Sequence, residues 1–392
     1  MLDNNYMSLN MSKPKILIIE PNLKNEFGHP FSVMQSIFND RRNIYGDVIF
    51  VGHKSADLNI RRKFSLVPCT TANFENHNSI EVKKYLSTLI NRFRLDAKDW
   101  VIFTTAHLNE LQGLKSISKK FPKLNFFAQI HQFLPSVKDT LKLPKGIEDK
   151  IAKSFTVALK GIPDNLIVST TENANLKNKL KKFHKNIISL PIPNNTALIR
   201  PRMRARGKQV IVGFFGDNRK EKGLLTILKL INSTNFHQVK FTLQVTKPKY
   251  YGEDLKKFYS QLEQASVNKN VLIVNGPMSA SAYYSRLRSC NVLLLPYDPH
   301  IYSDRFSGIA QEAQLLKIPV ISYKNNSIGE SIRSGSMLGI TISFSTDSNL
   351  NVVNLAKAIQ KFKKVRIFPK FVPPSIIKGS NYINEILCLQ KS

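Results

Sequence analysis

The chain has 392 residues, 42% hydrophobic and 22% charged, enough to fill two ordinary domain cores and too apolar for global disorder. Its 58 lysines and arginines against 27 acids give a formal charge of +31, which draws it toward nucleic acid, acidic lipid or phosphorylated substrates. Three scattered cysteines, Cys69, Cys290 and Cys388, make neither a disulfide framework nor a metal-ligand spacing.

Residues 1–12 are polar and asparagine-rich, without the apolar run of a secretory signal. The longest apolar runs, such as 292–296, are strand-sized and far below the ~18 residues of a membrane span. A soluble, cytoplasmic protein with a flexible tail over residues 1–13 is therefore expected.

From residue 14 on, short β-branched or aromatic runs alternate with helical patterns. Segments 15–20 (KILIIE), 47–52, 100–106, 125–130, 166–170 and 187–192 read as strands buried on both faces. Helical patterns at 79–95 and 172–183 separate them, which argues for a parallel sheet with helices on both sides. In NEFGHP (25–30), Gly28 suits a close backbone approach and Pro30 the first turn of a helix over 31–38. His131 stands at the carboxyl end of the strand NFFAQI, and His107 is a poorer candidate after 100–106. A lone histidine at either place is equally readable as a buried structural group.

At 201–208 (PRMRARGK) the apolar period breaks into a basic linker, so the first domain is assigned to 14–200 and the second to 209–370. Strands are expected at 210–216, 240–246, 271–276, 292–296, 319–323 and 339–343, with a terminal helical segment over 371–392. Two doubly wound domains in tandem leave a cleft between the carboxyl ends of their strands.

Within the second half, VGFFGDNRKEKGLL (212–225) runs from a strand through a basic loop into a helix opened by Gly223. The dinucleotide fingerprint is missing, but Arg219, Lys220 and Lys222 before a helix N-terminus make a chemically sensible diphosphate seat. Lysines there are also commonly just solvated. The segment 291–323 places Asp304 ahead of a helix starting near Ser307 and Glu312 two turns inside it. Ser307 and Gly308 offer free backbone amides to an anion between the two acids.

Here the sequence resembles the retaining glycosyltransferases of family 4 in the GT-B superfamily, of the glycosyl transferases group 1 type. Their signature of an acid, seven residues and a glutamate is matched by Asp304, Phe306, Ser307, Gly308 and Glu312. VNGPM (274–278) is similar to the family's nucleobase loop, and 215–223 to its phosphate-binding turn. The resemblance implies an α/β GT-B architecture: two Rossmann-like doubly wound domains facing a central cleft, with a C-terminal helix packing back toward the N-terminal domain. It implies transfer of a sugar from a nucleotide-diphosphate sugar, UDP- or GDP-linked, to a glycan or lipid-linked acceptor, with retention of configuration and no metal required. By the same carry-over, Asp304 holds donor-sugar hydroxyls and His131 lies beside the sugar. Arg219, Lys222, Gly28 and the amides of Ser307, Gly308 and Ile309 take the diphosphate. Glu312 accepts from the ribose, and Gly276, Pro277 and Met278 pack on the base. Two departures stand out: the first acid is aspartate rather than glutamate, and Asp217 replaces the arginine after the turn glycine.

Nothing spells out the acceptor. The positive charge favours surface-polysaccharide assembly with peripheral association at an anionic inner membrane face. The same charge suits a nucleic-acid-binding protein or a DNA-modifying hexosyltransferase, although no reading module is present. A catalytically silent GT-B scaffold is the third alternative, raised by the two departures.

Overall fold

Runs of Ile, Leu, Val, Phe and Ala with no polar alternation are best satisfied where both faces of a sheet are covered, and those at 16–19, 101–103, 126–128 and 292–295 are buried inside one of two parallel sheets. The computed structural model describes residues 12–26, 28–70, 78–133, 146–193, 209–249, 251–305, 307–364 and 378–389. Residues 1–11 of the tail, the linker 201–208 and Phe306 lie outside the described residues.

The first sheet is built from β1 (Lys15–Glu20), β2 (Asp47–His53), β3 (Val67–Thr70), β4 (Trp100–Ala106), β5 (Asn125–Ile130), β6 (Leu166–Thr170) and β7 (Ile188–Ser189). Its order is β3-β2-β1-β4-β5-β6-β7, and every pairing is parallel. β3 was not expected from the sequence; VPCT is a short edge strand whose Pro68 interrupts the pattern. β7 is shorter than expected, two residues at the other edge.

The second sheet contains β8 (Val210–Phe214), β9 (Val239–Val245), β10 (Val271–Asn275), β11 (Val292–Leu295), β12 (Val320–Tyr323) and β13 (Gly339–Ile342). It is also wholly parallel, in the order β10-β9-β8-β11-β12-β13. Each order reverses once, between β1 and β4 and between β8 and β11. In doubly wound sheets that reversal opens a crevice beyond the strand ends where ligands bind. The expected pair of Rossmann-like domains is thus observed.

The helix Gly379–Cys388 returns to the first domain. Tyr382, fully buried, donates its hydroxyl to Gln129 Oε1 on β5 at 2.8 Å. Asp40 accepts from the Ser380 amide at 2.9 Å, and the helix lies so close to Gly28–Asp40 that a Cβ on Gly379 would fall 2.4 Å from Ile37 Cα. The two domains also touch directly. Asn175 donates to Ser303 O at 3.1 Å and Glu330 Oε2 at 3.0 Å, and Gln311 donates to Ile192 O at 3.0 Å. Among the described residues, no helix is long and apolar enough to cross a membrane.

Candidate active site

A cleft of about 600 Å³ lies between the domains at the two switch points, walled by the loops that leave β1, β4 and β5 on one side and β8, β9, β10 and β11 on the other. Of the twelve residues singled out from the sequence, ten line it: Gly28, His131, Arg219, Lys222, Pro277, Met278, Ser307, Gly308, Ile309 and Glu312. Gly276 and Asp304 do not.

The side formed by the 216–223 loop is built by close backbone approach. Gly216, with φ +106°, follows β8 where a Cβ would sit 2.5 Å from Ile309 Cδ1 and 3.4 Å from Lys222 Nζ. Gly223, with φ +78°, ends a 3-10 turn and opens the helix Leu224–Ser233; a Cβ there would strike Pro296 O at 2.5 Å. Gly223 therefore needs glycine on two counts, conformation and space, whereas Gly216 needs it for conformation, since the Ile309 side-chain end can shift. The turn brings Lys222, buried, and Arg219 to the cleft wall. Asp217 joins them: its Oδ2 lies 2.9 Å from Arg219 Nε, and its Oδ1 pairs with Lys222 Nζ. Arg219 also meets Glu221 at 3.3 Å and donates to the Tyr302 hydroxyl at 3.0 Å. Burial alone would raise the Asp217 carboxyl, but Lys222 and Arg219 hold it down to about 2.

Opposite this loop, the helix Gly308–Leu315 points its first turn into the cleft, with Ser307 as N-cap accepting from the Ala310 amide at 3.3 Å. A Cβ on Gly308 would meet no atom within 4 Å, so open space lies beside the amide end of the helix. About one turn in, Glu312 is held by both hydroxyls of a tyrosine pair: Tyr283 donates at 2.5 Å and Tyr284 at 3.2 Å. Burial pushes the Glu312 carboxyl up to about 7, against the pull of those hydrogen bonds.

Gly276 contributes from behind the wall. Gln244, buried at the end of β9, accepts from the Gly216 amide at 2.9 Å and donates to Gly276 O at 3.1 Å. One side chain thereby braces the 216–223 loop against the 274–278 loop. Sequence reasoning passed over Gln244; the available signal was an amide in the otherwise apolar end of VKFTLQV. The tyrosine pair and Arg305 were likewise missed, because they look like ordinary amphipathic and surface positions.

On the N-terminal wall, His131 Nε2 lies 2.8 Å from Thr104 O, which as a carbonyl must accept, so the proton sits on Nε2 and Nδ1 is the ring's acceptor. His29 stands edge-on to it at 4.9 Å. Burial, then the proximity of His29, pushes His131 well below its usual range, and burial alone takes His29 down to about 4. Both rings are neutral at ordinary pH.

Asp304 is not among the residues that line the cleft. Its carboxylate, 1% exposed, bonds Lys179 Nζ of the helix Ala174–Lys181 at 2.5 Å, turned from the cleft toward the opposite domain. Its neighbour Arg305 lines the cleft instead, 3.5 Å from Glu221. Among the described residues no cluster of three or more His, Cys, Asp or Glu has the makings of a metal site.

Residues 195–370 match the family model for Glycosyl transferases group 1. That segment carries the 216–223 loop, the 274–278 loop and the Gly308 helix. No curated protein sequence matches the chain. Among solved structures, Anabaena HepE in complex with UDP and glucose is similar at 12% identity over 97% of this chain and 100% of that one, with a TM-score of 0.66. Sucrose-phosphate synthase from Thermosynechococcus elongatus is similar at 13% identity, covering 97% of each chain, with a TM-score of 0.63. The lipopolysaccharide outer core galactosyltransferase WaaB in its apo form gives 13% identity over 96% and 100%, with a TM-score of 0.57. At such identities the likeness shows the shared GT-B fold.

Proposed function

We propose that the protein transfers a sugar from a nucleotide-diphosphate sugar, bound in this cleft, to a glycan or lipid-linked acceptor with retention of configuration. The observation that carries the reading is the convergence of Lys222, Arg219 and the amide end of the Gly308 helix on one space, with Glu312 about one turn further along that helix. Cations and a helix amide end suit a diphosphate, and a nearby carboxylate suits the hydroxyls of a ribose. The group-1 match over the same segment supports it.

In this reading the diphosphate takes the cationic loop and helix end, which stabilise charge as the sugar–phosphate bond breaks. Glu312 accepts from the ribose, and Pro277 and Met278 cover the base. Neutral His131 stands on the cleft wall beside the sugar. We assign Asp304 to joining the domains through Lys179 rather than to the sugar. No step is routed through a metal; the developing charge is left to the loop cations and the helix end.

The acceptor side follows from charge. The formal +31 supports peripheral association with an anionic membrane face and a role in surface-polysaccharide biosynthesis. Flotation with anionic liposomes at low salt tests it, and absence of binding there counts against it. A second reading, a catalytically silent scaffold, is favoured by Asp304 facing Lys179 and by Asp217 on the loop cations. Incubating the protein with a panel of nucleotide sugars and measuring nucleotide release separates the two. Release from one donor supports the enzyme, and none from any supports the scaffold. Proton NMR of the product's anomeric signal then tests retention.

A further inference from the structure

We propose that Asp217 is an internal counter-anion that occupies the seat of a donor phosphate and sets how tightly the cleft holds nucleoside diphosphates. The proposal rests on the donor-site reading and goes beyond it, because the loop holds its own negative group on the two cations assigned to the diphosphate.

The geometry is that of a bridging anion. One carboxylate oxygen of Asp217 takes Arg219 Nε at 2.9 Å and the other takes Lys222 Nζ, one cation to each oxygen, as two oxygens of a phosphate would be taken. The remaining arms of Arg219 are engaged by Glu221 at 3.3 Å and by the Tyr302 hydroxyl at 3.0 Å. An incoming diphosphate therefore meets both loop cations already bound to a carboxylate. Asp217 is not sealed in: its side chain is 39% exposed and lines the cleft, while Lys222 behind it is 9% exposed. The anion can leave toward solvent and the cations cannot.

Two consequences follow. In the empty cleft Asp217 keeps Lys222 and Arg219 charged, ordered and close together, which two unpaired cations would resist. In the occupied cleft it stands as a like charge beside the diphosphate, so it weakens donor binding and favours departure of the more highly charged nucleoside diphosphate product. The carboxyl stays ionised at all ordinary pH, so protonation gives no relief.

Affinities of the full chain for UDP, GDP, the matching nucleosides and inorganic pyrophosphate, by calorimetry, test this with Asp217→Asn and Asp217→Glu. Asparagine keeps the shape and removes the charge. It should tighten nucleoside diphosphate and pyrophosphate about tenfold while leaving the nucleoside unchanged. Glutamate keeps the charge and should stay within about twofold of the parent. If Asp217→Asn does not fold, Asp217→Ser gives the same comparison. Equal or weaker diphosphate binding by the neutral variants overturns the counter-anion role while leaving the donor site intact. Failure of every variant and the parent to bind any nucleotide or pyrophosphate overturns the donor-site reading, and the counter-anion role with it.

Discussion

Lys179 and Asp304 form a 2.5 Å ion pair between the two domains, in which the carboxylate is 1% exposed and the lysine side chain 37%. Removing the lysine strands a buried carboxylate with no counterion. Lys179→Ala is expected to cost about 2 kcal/mol of unfolding free energy, below the range for a fully buried pair because the lysine end is wet. Asp304→Asn should cost less, and the double variant no more than Lys179→Ala alone. Chemical denaturation of the four proteins checks this; additive losses would show that the two side chains do not act as a pair.

Gln244 ties the Gly216 amide to the Gly276 carbonyl, so its loss should act on the ligand as well as on the fold. Gln244→Ala leaves two backbone groups without their partner and is expected to lower stability by about 2 kcal/mol. Donor affinity should fall roughly tenfold as the 216–223 and 274–278 loops part. Thermal unfolding and donor titration on the same preparation separate the effects, and full donor affinity in the variant would refute the brace.

Much of this arrangement was legible in the sequence, for a physical reason. Strands buried on both faces leave an unmistakable apolar run, so β1, β4, β5 and β6 fall at the residues expected. Glycines forced by positive φ, Gly216 and Gly223, mark the loop between them. What the sequence did not convey was the direction of side chains across space. Asp304 keeps the signature's spacing from Glu312, yet spacing along a chain says nothing of Lys179, 125 residues away, which captures it. Tyr283 and Tyr284 read as parts of an ordinary helix until both hydroxyls are seen on Glu312. β3 and the short β7 are edge strands, where pairing rather than composition decides.

Glu312, held near pH 7 by burial, should make donor binding depend on pH. A nucleotide sugar has no group of its own titrating near 7, so its affinity should rise as the carboxylate forms between about pH 6 and 8 and level off above. Glu312→Gln should stay near the parent's low-pH affinity at every pH and lose the pH dependence. Calorimetric titrations across that range check it; a slope that persists in the glutamine variant assigns the titration elsewhere.

Glu20 at the end of β1 is wholly buried beside Thr104, and burial raises its carboxyl to about 7. The folded chain then binds this proton more tightly than the unfolded chain, whose carboxyl is ordinary. The resulting stability is fully present below the unfolded value of about 4.5 and is lost as pH rises through 7, by up to roughly 3 kcal/mol. Glu20→Gln should remove that part of the slope. Unfolding free energies from pH 4.5 to 8 in both proteins decide it, and parallel curves would contradict it.

Thermal unfolding of the intact chain with and without millimolar UDP, GDP and ADP, repeated with Lys222→Ala, bears most directly on what the cleft is for. At least one of the three nucleotides should raise the midpoint by several degrees in the parent and leave Lys222→Ala unmoved. A midpoint that no nucleotide shifts, or a shift that survives loss of Lys222, would contradict a diphosphate seat between these domains.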